Sequence, residues 1–340
     1  MVSSKTAPNI ALIKYWGKSD PKTSAPHNDS LSLTLDLNIL CSSCTVTSSS
    51  HDCFSLNGMS TSISQRLSAQ LNLCRSSSSV QTPVSISSTN SFPTAAGLAS
   101  SASGYAAVAQ CLHSFYQLSS VSLSHLARLG SGSACRSVFG GLVHWKSSPP
   151  FDSIQILPHS HYVLSNLRCL ILVFSGSQKE VPSTLGMSRT METSPEFLNR
   201  KERAHERLSR LIDAFESHDY QTIFDLTMID SDDLHSMCHS TIPPINYLNA
   251  SSQKLITAVK SINESFGETI VGYTFDAGPN GFVLFHQNSF KQVISGLSSY
   301  YPELAVVDSL DFQSKLNVSD VVEGIYLSKI GGDPLVVHSD

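Results

Sequence analysis

The feature that most constrains the fold is a segment of small residues that runs directly into a helix-forming sequence. From Asn90 to Gln110 the chain reads NSFPTAAGLASSASGYAAVAQ. Its small side chains allow a ligand to approach the backbone, and Ser100 and Ser101 add hydroxyl donors to the unpaired N–H groups of the first helical turn. Because a helix N-terminus carries about half a positive charge, the segment predicts a cradle for a polyphosphate. No Gly-Lys-Ser/Thr follows the glycine, so the segment is not a Walker P-loop.

Composition narrows the class of protein further. The chain has 340 residues, of which 41% are hydrophobic and 14% charged, as in an ordinary globular protein of one or two domains. Its net charge of −5 argues against nucleic-acid binding, which needs a basic face. The apolar runs are only as long as a buried strand, and no charged leader precedes an apolar core, so we expect a cytoplasmic protein without membrane segments. An anionic ligand must therefore be received by a local basic pocket.

The eight cysteines do not suggest a disulfide framework, because they are scattered and no secretion signal is visible. Cys41 and Cys44 form a C-x-x-C pair. This pair has no matching second pair and lies in a strand-like stretch, so we predict no metal site there.

Hydrophobic periodicity alternates between that of strands and that of helices along the chain. Leu31, Leu33, Leu35 and Leu37 alternate with polar residues and predict a strand with one buried face. Further strands are predicted at Val84 to Ile86, Gly141 to Lys146, Leu167 to Phe174, Thr269 to Phe275 and Phe282 to Phe285. Helices are predicted from Ile63 to Leu71, after Ala102, and at Leu123 to Leu129, Tyr220 to Met237 and Asn249 to Phe266. Strands and helices mixed without regular βαβ alternation indicate an α+β fold.

A helix start is also predicted early in the second half of the chain. Ser194-Pro195-Glu196 offers an N-cap, a proline at the first helical position and an acid in the first turn. The apolar stripe of this predicted helix consists of Leu198, Leu208, Leu211, Ile212 and Phe215.

Four further motifs stand in a fixed order around the small-residue loop. They are APNIALIKYWGK from Ala7, GSGSACRS from Gly130, STLGM from Ser183 and YTFDAGPN from Tyr273. The loop itself contains Pro-x-x-x-Gly-Leu-x-Ser-Ser-Ala. In this order the five motifs resemble the mevalonate diphosphate decarboxylase family, a branch of the GHMP small-molecule kinases. The resemblance extends from about residue 7 to residue 285 and weakens after that.

This resemblance implies an architecture, ligands and an assembly. The fold would be a two-lobed, GHMP-kinase-like α+β structure, with residues 1–180 as an N-terminal ATP-binding lobe and residues 181–340 as a C-terminal lobe. The active site would lie in the cleft between them. The ligands would be mevalonate 5-diphosphate and ATP with Mg²⁺, and the assembly would be a homodimer. No acidic cluster marks a metal site, so phosphate oxygens and water are expected to supply most Mg²⁺ ligands.

The resemblance also assigns roles to four residues at the reacting centre. Asp276, on a turn between two predicted strands, would orient the substrate hydroxyl and accept its proton. Lys14 would keep that carboxylate ionised and offset charge on the transferring phosphoryl group. Arg136 would grip the substrate carboxylate through two parallel hydrogen bonds. Asn9 would hold either that carboxylate or Arg136 itself.

The remaining predicted site residues fall into two groups. Those predicted to bind the substrate are Tyr15, Trp16, Gly17, Lys18, Arg66, Ser131, Gly132, Ser133, Ala134, Cys135, Arg136, Ser183, Thr184 and Met187. Those predicted to bind ATP are Asn90, Pro93, Gly97, Leu98, Ala99, Ser100, Ser101 and Ala102.

Two other functions compete with decarboxylation. One is a GHMP kinase that phosphorylates the 3-hydroxyl of mevalonate and stops there. The other is a non-catalytic homologue that binds ATP or a metabolite. The pairing of Asn9 with Arg136 favours decarboxylation over the first, and the presence of Asp276 and the loop serines disfavours the second.

Overall fold

The computed structural model describes residues 1–92, 100–156, 161–177 and 179–339. Four of the predicted ATP-binding residues, Pro93, Gly97, Leu98 and Ala99, lie outside the described residues, as does the side chain of Ser100.

The described residues form strands and helices throughout the chain. The strands are β1 (Val2–Thr6), β2 (Asn9–Ile13), β3 (Lys18–Asp20), β4 (Ala25–Pro26), β5 (Ser30–Thr34), β6 (Ser42–Ser48), β7 (Cys53–Leu56), β8 (Met59–Thr61), β9 (Val84–Asn90), β10 (Leu142–Trp145), β11 (Ser153–Gln155), β12 (Leu167–Val173), β13 (Val271–Phe275), β14 (Gly281–His286), β15 (Ser314–Leu316), β16 (Gly324–Lys329) and β17 (Leu335–His338). The helices are α1 (Gln65–Ser76), α2 (Ser100–Phe115), α3 (Leu123–Gly130), α4 (Ala134–Ser137), α5 (His161–Asn166), α6 (Ser183–Thr193), α7 (Arg200–Ser217), α8 (Tyr220–His239), α9 (Ala250–Phe266) and α10 (Phe290–Ser298). The prediction of an α+β fold is confirmed.

A six-stranded sheet carries the helix that follows the small-residue loop. Its strand order is β17-β1-β6-β9-β7-β8, and among these pairs only β7 and β9 run parallel. Helix α2 packs on this sheet through small residues such as Ala106 and Ala109, which are completely buried. Small side chains permit this close contact, so the start of α2 is fixed relative to the sheet.

The strand predicted from Leu31 to Leu37 differs from expectation in length and in burial. Strand β5 ends at Thr34, and all five of its residues are buried, so the prediction of one buried face was wrong. Two buried hydroxyls of the polar face are satisfied, because Ser30 and Thr34 donate hydrogen bonds to the carbonyls of Ile13 and Phe139 at 2.7 and 2.8 Å. Strand β5 lies in a four-stranded sheet of order β11-β10-β5-β2, which places β2 at its edge.

A further sheet has five strands in the order β13-β14-β12-β16-β15. Strand β12 alternates its side chains between two cores, one shared with α7 and α8 and the other with α9 and α10. Both faces of β12 are therefore buried, which explains its uninterrupted apolar sequence. Strand β13 ends at Phe275, so the turn that follows carries Asp276 at the edge of a rigid sheet.

The helix predicted to begin at Ser194 begins later, so this prediction was wrong. Pro195–Phe197 forms a short 3-10 helix, and Ser194 makes no capping hydrogen bond. Asn199 then adopts a left-handed conformation with φ 61°, which a right-handed helix cannot accommodate, and α7 starts after it. Leu198 is 73% exposed and is not part of the apolar stripe.

Other elements agree closely with the sequence. Helix α9 begins after Asn249, which caps it in a capping box with Ser252, and it ends at Gly267 with φ +69°. Helices α3 and α8 and strands β10, β12, β13 and β14 also occupy their predicted positions within about three residues. Across the described residues, every helix is either too short or too polar to cross a bilayer.

Candidate active site

One cavity of about 520 Å³ collects most of the residues predicted to form the site. Its wall includes side chains from the segment after β2, from α1 and α2, and from α6, α8 and the turn after β13. The predicted residues that line it are Lys14, Tyr15, Trp16, Lys18, Arg66, Asn90, Ser101, Ser131, Gly132, Ser133, Arg136, Ser183, Thr184, Met187 and Asp276. Both halves of the sequence thus contribute to a single cavity.

Lys14 and Asp276 form an ion pair at the base of this cavity. Lys14 Nζ lies 2.7 Å from Asp276 Oδ1, and the lysine side chain is 2% exposed whereas that of Asp276 is 33% exposed. Burial opposes ionisation of Asp276, but the charges of Lys14, Arg136 and Lys179 outweigh it and lower the pKa of the carboxyl. Burial lowers the pKa of Lys14 despite the attraction of Asp276. Asp276 is therefore an ionised, partly accessible carboxylate, as a proton acceptor must be.

Arg136, in the short helix α4, is held from two sides and is only 4% exposed. Its Nε donates to Asn9 Oδ1 at 3.0 Å, and its Nη1 donates to Ser30 Oγ at 2.8 Å. The guanidinium also lies 5.7 Å from the centre of the Trp145 ring. Burial lowers its pKa, but an arginine remains charged at physiological pH. The arginine is therefore fixed in place by the protein's own side chains.

Asn9 lies behind Arg136 and is absent from the residues that line the cavity. It donates from Nδ2 to Ser137 Oγ at 2.7 Å and to the carbonyl of Ser133 at 3.2 Å. Asn9 was predicted to hold either the substrate carboxylate or Arg136, and in the structure it bonds to Arg136. Sequence reasoning did not identify Ser30, the second hydrogen-bond partner of Arg136, because its strand was expected to bury only leucines.

Tyr15 packs under the serine-rich loop that contains Gly132. A Cβ atom on Gly132 would lie 2.7 Å from Tyr15 Oη, so only glycine permits this approach. The Tyr15 ring lies 4.5 Å from that of Trp145, and its buried hydroxyl has no hydrogen-bond partner among the described residues. Burial raises the pKa of Tyr15, so the phenol stays protonated and can donate a hydrogen bond.

The residues that follow Tyr15 differ in their access to the cavity. Trp16 Nε1 donates to Thr190 Oγ1 at 3.0 Å, which anchors the segment to α6. Lys18 lines the cavity, and its Nζ donates to Ser24 Oγ at 3.4 Å. Gly17 adopts φ +97° and packs against Phe197, outside the residues that line the cavity.

Arg66 reaches from α1 to the opposite wall of the cavity. Its Nη2 donates to Thr184 Oγ1 at 3.3 Å, and the arginine is exposed. Ser183 and Met187 lie on the same helix, α6, and also line the cavity. The arginine and the α6 hydroxyls, predicted separately, are thus brought together.

The described part of the predicted ATP site lies at the N-terminus of α2. Ser101 is exposed, and its hydroxyl lies 3.5 Å from that of Ser131. Asn90 lines the cavity at the end of β9, whereas Ala102 is completely buried against the sheet. Ala134 and Cys135 are likewise completely buried, and burial raises the pKa of the Cys135 thiol to about 12. These three residues shape the wall from behind rather than facing a ligand.

Sequence reasoning missed Lys179 and one apolar wall. Lys179 Nζ donates to Ser183 Oγ and to the carbonyl of Ala277, both at 2.9 Å, beside Asp276. Its only sequence signal is a lysine shortly after a buried strand, which is common on protein surfaces. The missed apolar residues of the wall are Phe54, Leu56, Tyr105 and Val108. Strand β7 and helix α2, which carry them, come together only in the folded chain, so no local pattern marks them.

The charge of the cavity suits a polyanion. Among the described residues that line it, five are basic and one is acidic: Lys14, Lys18, Arg66, Arg136 and Lys179 against Asp276. In the described part of the chain, no three His, Cys, Asp or Glu side chains come together as a metal site. A divalent cation in this cavity would therefore depend on ligand phosphates, with Asp276 as the available carboxylate.

Two family models match the chain almost end to end. Residues 6–154 match the diphosphomevalonate decarboxylase-like N-terminal domain, and residues 169–335 match the mevalonate 5-diphosphate decarboxylase C-terminal domain. Diphosphomevalonate decarboxylase from Debaryomyces hansenii is 38% identical, with 98% of this chain and 94% of the relative covered. The Homo sapiens diphosphomevalonate decarboxylase is 40% identical, with 87% of this chain and 80% of the relative covered.

Solved structures give the same result. Mevalonate diphosphate decarboxylase from Trypanosoma brucei superposes with a TM-score of 0.88 at 31% identity, covering 99% of this chain and 98% of that one. A structure of MDDEF in complex with MVAPP, AMPPCP and magnesium superposes with a TM-score of 0.82 at 30% identity, covering 99% of both chains. Because both domain models and relatives of about 40% identity match nearly the whole chain, this chain belongs to the diphosphomevalonate decarboxylase family.

Proposed function

We propose that this chain catalyses the ATP-dependent decarboxylation of mevalonate 5-diphosphate to isopentenyl diphosphate in the mevalonate pathway. The other products are ADP, phosphate and carbon dioxide. The observation that carries the proposal is the Lys14–Asp276 pair, 2.7 Å apart, in a basic cavity that also contains the buried Arg136. Membership in the family supplies the identity of the substrate.

Asp276 acts first, on the C3 hydroxyl of the substrate. Its ionised carboxylate orients the hydroxyl and accepts its proton as the oxygen attacks the γ-phosphorus of ATP. The bond from that phosphorus to the β,γ-bridging oxygen breaks, and ADP leaves. Lys14 holds Asp276 in place with its 2.7 Å contact and offsets negative charge on the transferring group.

Arg136 acts on the other functional group at this centre. Its guanidinium, fixed by Asn9 and Ser30, orients the C1 carboxylate of the substrate. Phosphate then departs from C3 with the electrons of the C–O bond. The electron pair of the C1–C2 bond becomes the C2–C3 double bond, and C1 is released as carbon dioxide. A fixed arginine keeps the breaking bond aligned with the electron-poor C3.

The diphosphate of the substrate and the triphosphate of ATP account for the excess of basic residues. We assign the substrate diphosphate to Tyr15, Lys18, Arg66 and the Ser131 to Ser133 loop. The ATP phosphates are assigned to the N-terminus of α2 with Ser101 and to the loop before it. MDDEF has been solved with an ATP analogue and magnesium, and here Mg²⁺ would accompany the nucleotide and neutralise its charge.

One experiment separates this function from both alternatives. The purified chain is incubated with ATP, Mg²⁺ and mevalonate 5-diphosphate labelled at C1, and ADP and labelled carbon dioxide are counted. Decarboxylation gives one carbon dioxide for each ADP. A 3-kinase gives ADP and an acid-labile phosphate ester without carbon dioxide, from this substrate or from mevalonate supplied in its place. A non-catalytic homologue gives neither product with either substrate.

Location, assembly and domain division are further parts of the proposal. We propose a cytoplasmic homodimer in which residues 1–180 and 181–340 form two lobes and the cavity lies in the cleft between them. Cell fractionation tests the location, and light scattering of the eluting protein tests for a mass twice that of the 36.8 kDa chain. Limited proteolysis near residue 180 tests the lobe boundary.

A further inference from the structure

The main-chain atoms of Lys14 are held by side chains from the second half of the chain. Its N–H donates to Asp230 Oδ2 at 2.7 Å, and its carbonyl accepts from Arg200 Nη2 at 2.9 Å. Asn28 Nδ2 also donates to that carbonyl, at 3.0 Å. Lys14 follows the last residue of the edge strand β2, so these bonds replace the strand neighbours that it lacks.

The residue next to Asp230 on α8 holds the other member of the ion pair. Ser231 Oγ accepts a hydrogen bond at 3.0 Å from the N–H of Phe275, the residue immediately before Asp276. Two consecutive residues of α8 therefore form hydrogen bonds with the backbone at Lys14 and with the backbone beside Asp276. One short stretch of α8 thus contacts both of the chain segments that form the ion pair, which are 262 positions apart.

Charged groups fix the helix itself. Arg200 bonds Asp230 at 2.7 and 2.9 Å and Asp233 at 2.8 Å, and Arg207 bonds the same two aspartates. Arg200 and Asp230 are both completely buried. Burial opposes both charges, yet their mutual attraction lowers the pKa of Asp230 and raises that of Arg200, so both stay ionised.

A buried ion pair is a poor way to gain stability. Apolar residues of similar volume often stabilise a protein as much or more, because they avoid the desolvation of two charges. Arg200 Nε is, in addition, buried without a hydrogen-bond partner among the described residues. What such a cluster does supply is directional bonds, here two to the main chain of Lys14.

We propose that Asp230, Ser231 and Arg200 are positioning residues, which hold the backbones of Lys14 and Phe275 so that the Lys14 ammonium meets the Asp276 carboxylate. None of the three lines the cavity. The inference rests on the proposed function only through the roles of Lys14 and Asp276. Substitution of one of the three positioning residues should therefore lower turnover by displacing Lys14 relative to Asp276. It should leave the binding of both substrates intact.

The matched variants are Ser231→Ala and Thr227→Val. Each removes one buried hydroxyl from α8, but among the described residues the Thr227 hydroxyl bonds only to the carbonyl of Ile223 in its own helix. Both substitutions are small, so we expect both variants to fold. Asp230→Asn breaks the buried ion cluster and is a stronger test that applies if the variant folds. Thermal melting gives the stability loss of each variant for comparison.

The pH profile of turnover tells positioning from a general loss of structure. The groups that face Asp276 are Lys14, Arg136 and Lys179, together with His235 of α8, which burial keeps neutral with a pKa of about 3. If Lys14 is no longer held against Asp276, the pKa of the carboxyl rises, and the acidic limb of kcat moves to higher pH.

For Ser231→Ala we expect kcat to fall about tenfold, with both KM values unchanged and the acidic limb raised by about half a pH unit. Thr227→Val keeps the wild-type kcat and pH profile. Two results overturn the inference: a Ser231→Ala enzyme with wild-type kcat and pH profile, or an equal loss of kcat in Thr227→Val.

A measurement without turnover separates this inference from the proposed reaction. The Asp276 carboxyl is titrated by carbon-13 NMR in aspartate-labelled protein, and the Asp276→Asn variant identifies its signal. A raised pKa in Ser231→Ala supports the positioning role even if the wild-type chain releases no carbon dioxide. An unchanged pKa refutes it even if the chain is a decarboxylase.

Discussion

The two ends of the cavity differ in how firmly the protein's own contacts hold their side chains. At one end, Lys14 and Arg136 are 2% and 4% exposed and make side-chain bonds of 2.7 to 3.0 Å. At the other end, Arg66 and Ser101 are exposed, with contacts of 3.3 and 3.5 Å. The first end is preorganised, which favours stabilisation of a transition state. We expect the second to gain its contacts when phosphates bind.

The backbone beneath each end explains the difference. Lys14 and Asp276 follow strands of two sheets, and α8 bonds to the main chain at both places. Arg66 extends from the first turn of α1, and Ser101 lies in the first turn of α2, where backbone N–H groups lack helical partners. Substitutions at the preorganised end should therefore reduce kcat, and those at the open end should raise KM.

The largest effect is expected for Asp276→Asn. The amide keeps the shape of the side chain but cannot accept the hydroxyl proton, so kcat should fall about a thousandfold. Binding of ATP and of mevalonate diphosphate, followed by calorimetry, should persist. Near-normal turnover in the pure variant would exclude Asp276 from the chemistry and remove the main distinction between the two ends.

Arg136→Lys should lower kcat by about a hundredfold. An ammonium cannot bond Asn9 and Ser30 and also grip a carboxylate with two parallel donors. Carbon dioxide release should fall more than ADP release if, as proposed, the arginine holds the substrate carboxylate. Comparison of the two rates in single-turnover experiments measures this, and an equal fall in both would assign Arg136 to phosphoryl transfer instead.

Much of the preorganised end could be predicted from the sequence, because its residues lie in motifs. Asp276 sits on a Gly-Pro turn between two predicted strands, and Lys14 lies in an apolar segment where a charge needs a partner. Helix α9 lies within one residue of its predicted range, Asn249 to Phe266, because Asn249 and Gly267 set its ends through local backbone conformation.

The remainder could not be predicted, because it depends on contacts between distant segments. Asp230 and Ser231 lie within an ordinary amphipathic helix, and nothing local indicates that they bond to Lys14 and Phe275. The break at Asn199 was missed because the preceding Ser-Pro-Glu is a good local signal for a helix start. Packing of Phe197 against Gly17 is the kind of tertiary contact that a local rule does not include.

A smaller effect is expected at Lys179, which lies beside Asp276 and bonds to the carbonyl of Ala277. The pKa of Asp276 is depressed in the folded protein, so the carboxylate stays ionised as the pH falls toward its ordinary pKa of about 3.9. Lys179→Met removes one of the cations that lower it, so the acidic limb of kcat should rise by about half a pH unit.

The control for this variant is Lys291→Met, at an exposed lysine of α10 that does not line the cavity. It should leave the pH profile unchanged. If the acidic limb of kcat moved to lower pH in Lys179→Met, the shift would be opposite to the one predicted. It would show that Lys179 does not act on Asp276 through its charge.

The smallest effect is expected for Ser101→Ala, at the open end. The substitution removes one hydroxyl donor but leaves the backbone N–H groups of α2, so the KM for ATP should rise about threefold, with kcat unchanged. Ser295→Ala, at an exposed helical serine outside the cavity, is the matched control. A rise in the KM for mevalonate diphosphate alone would place the substrate diphosphate, rather than ATP, at the N-terminus of α2. A fall in kcat without a change in either KM would mean that this end is also preorganised, and the contrast between the two ends would fail.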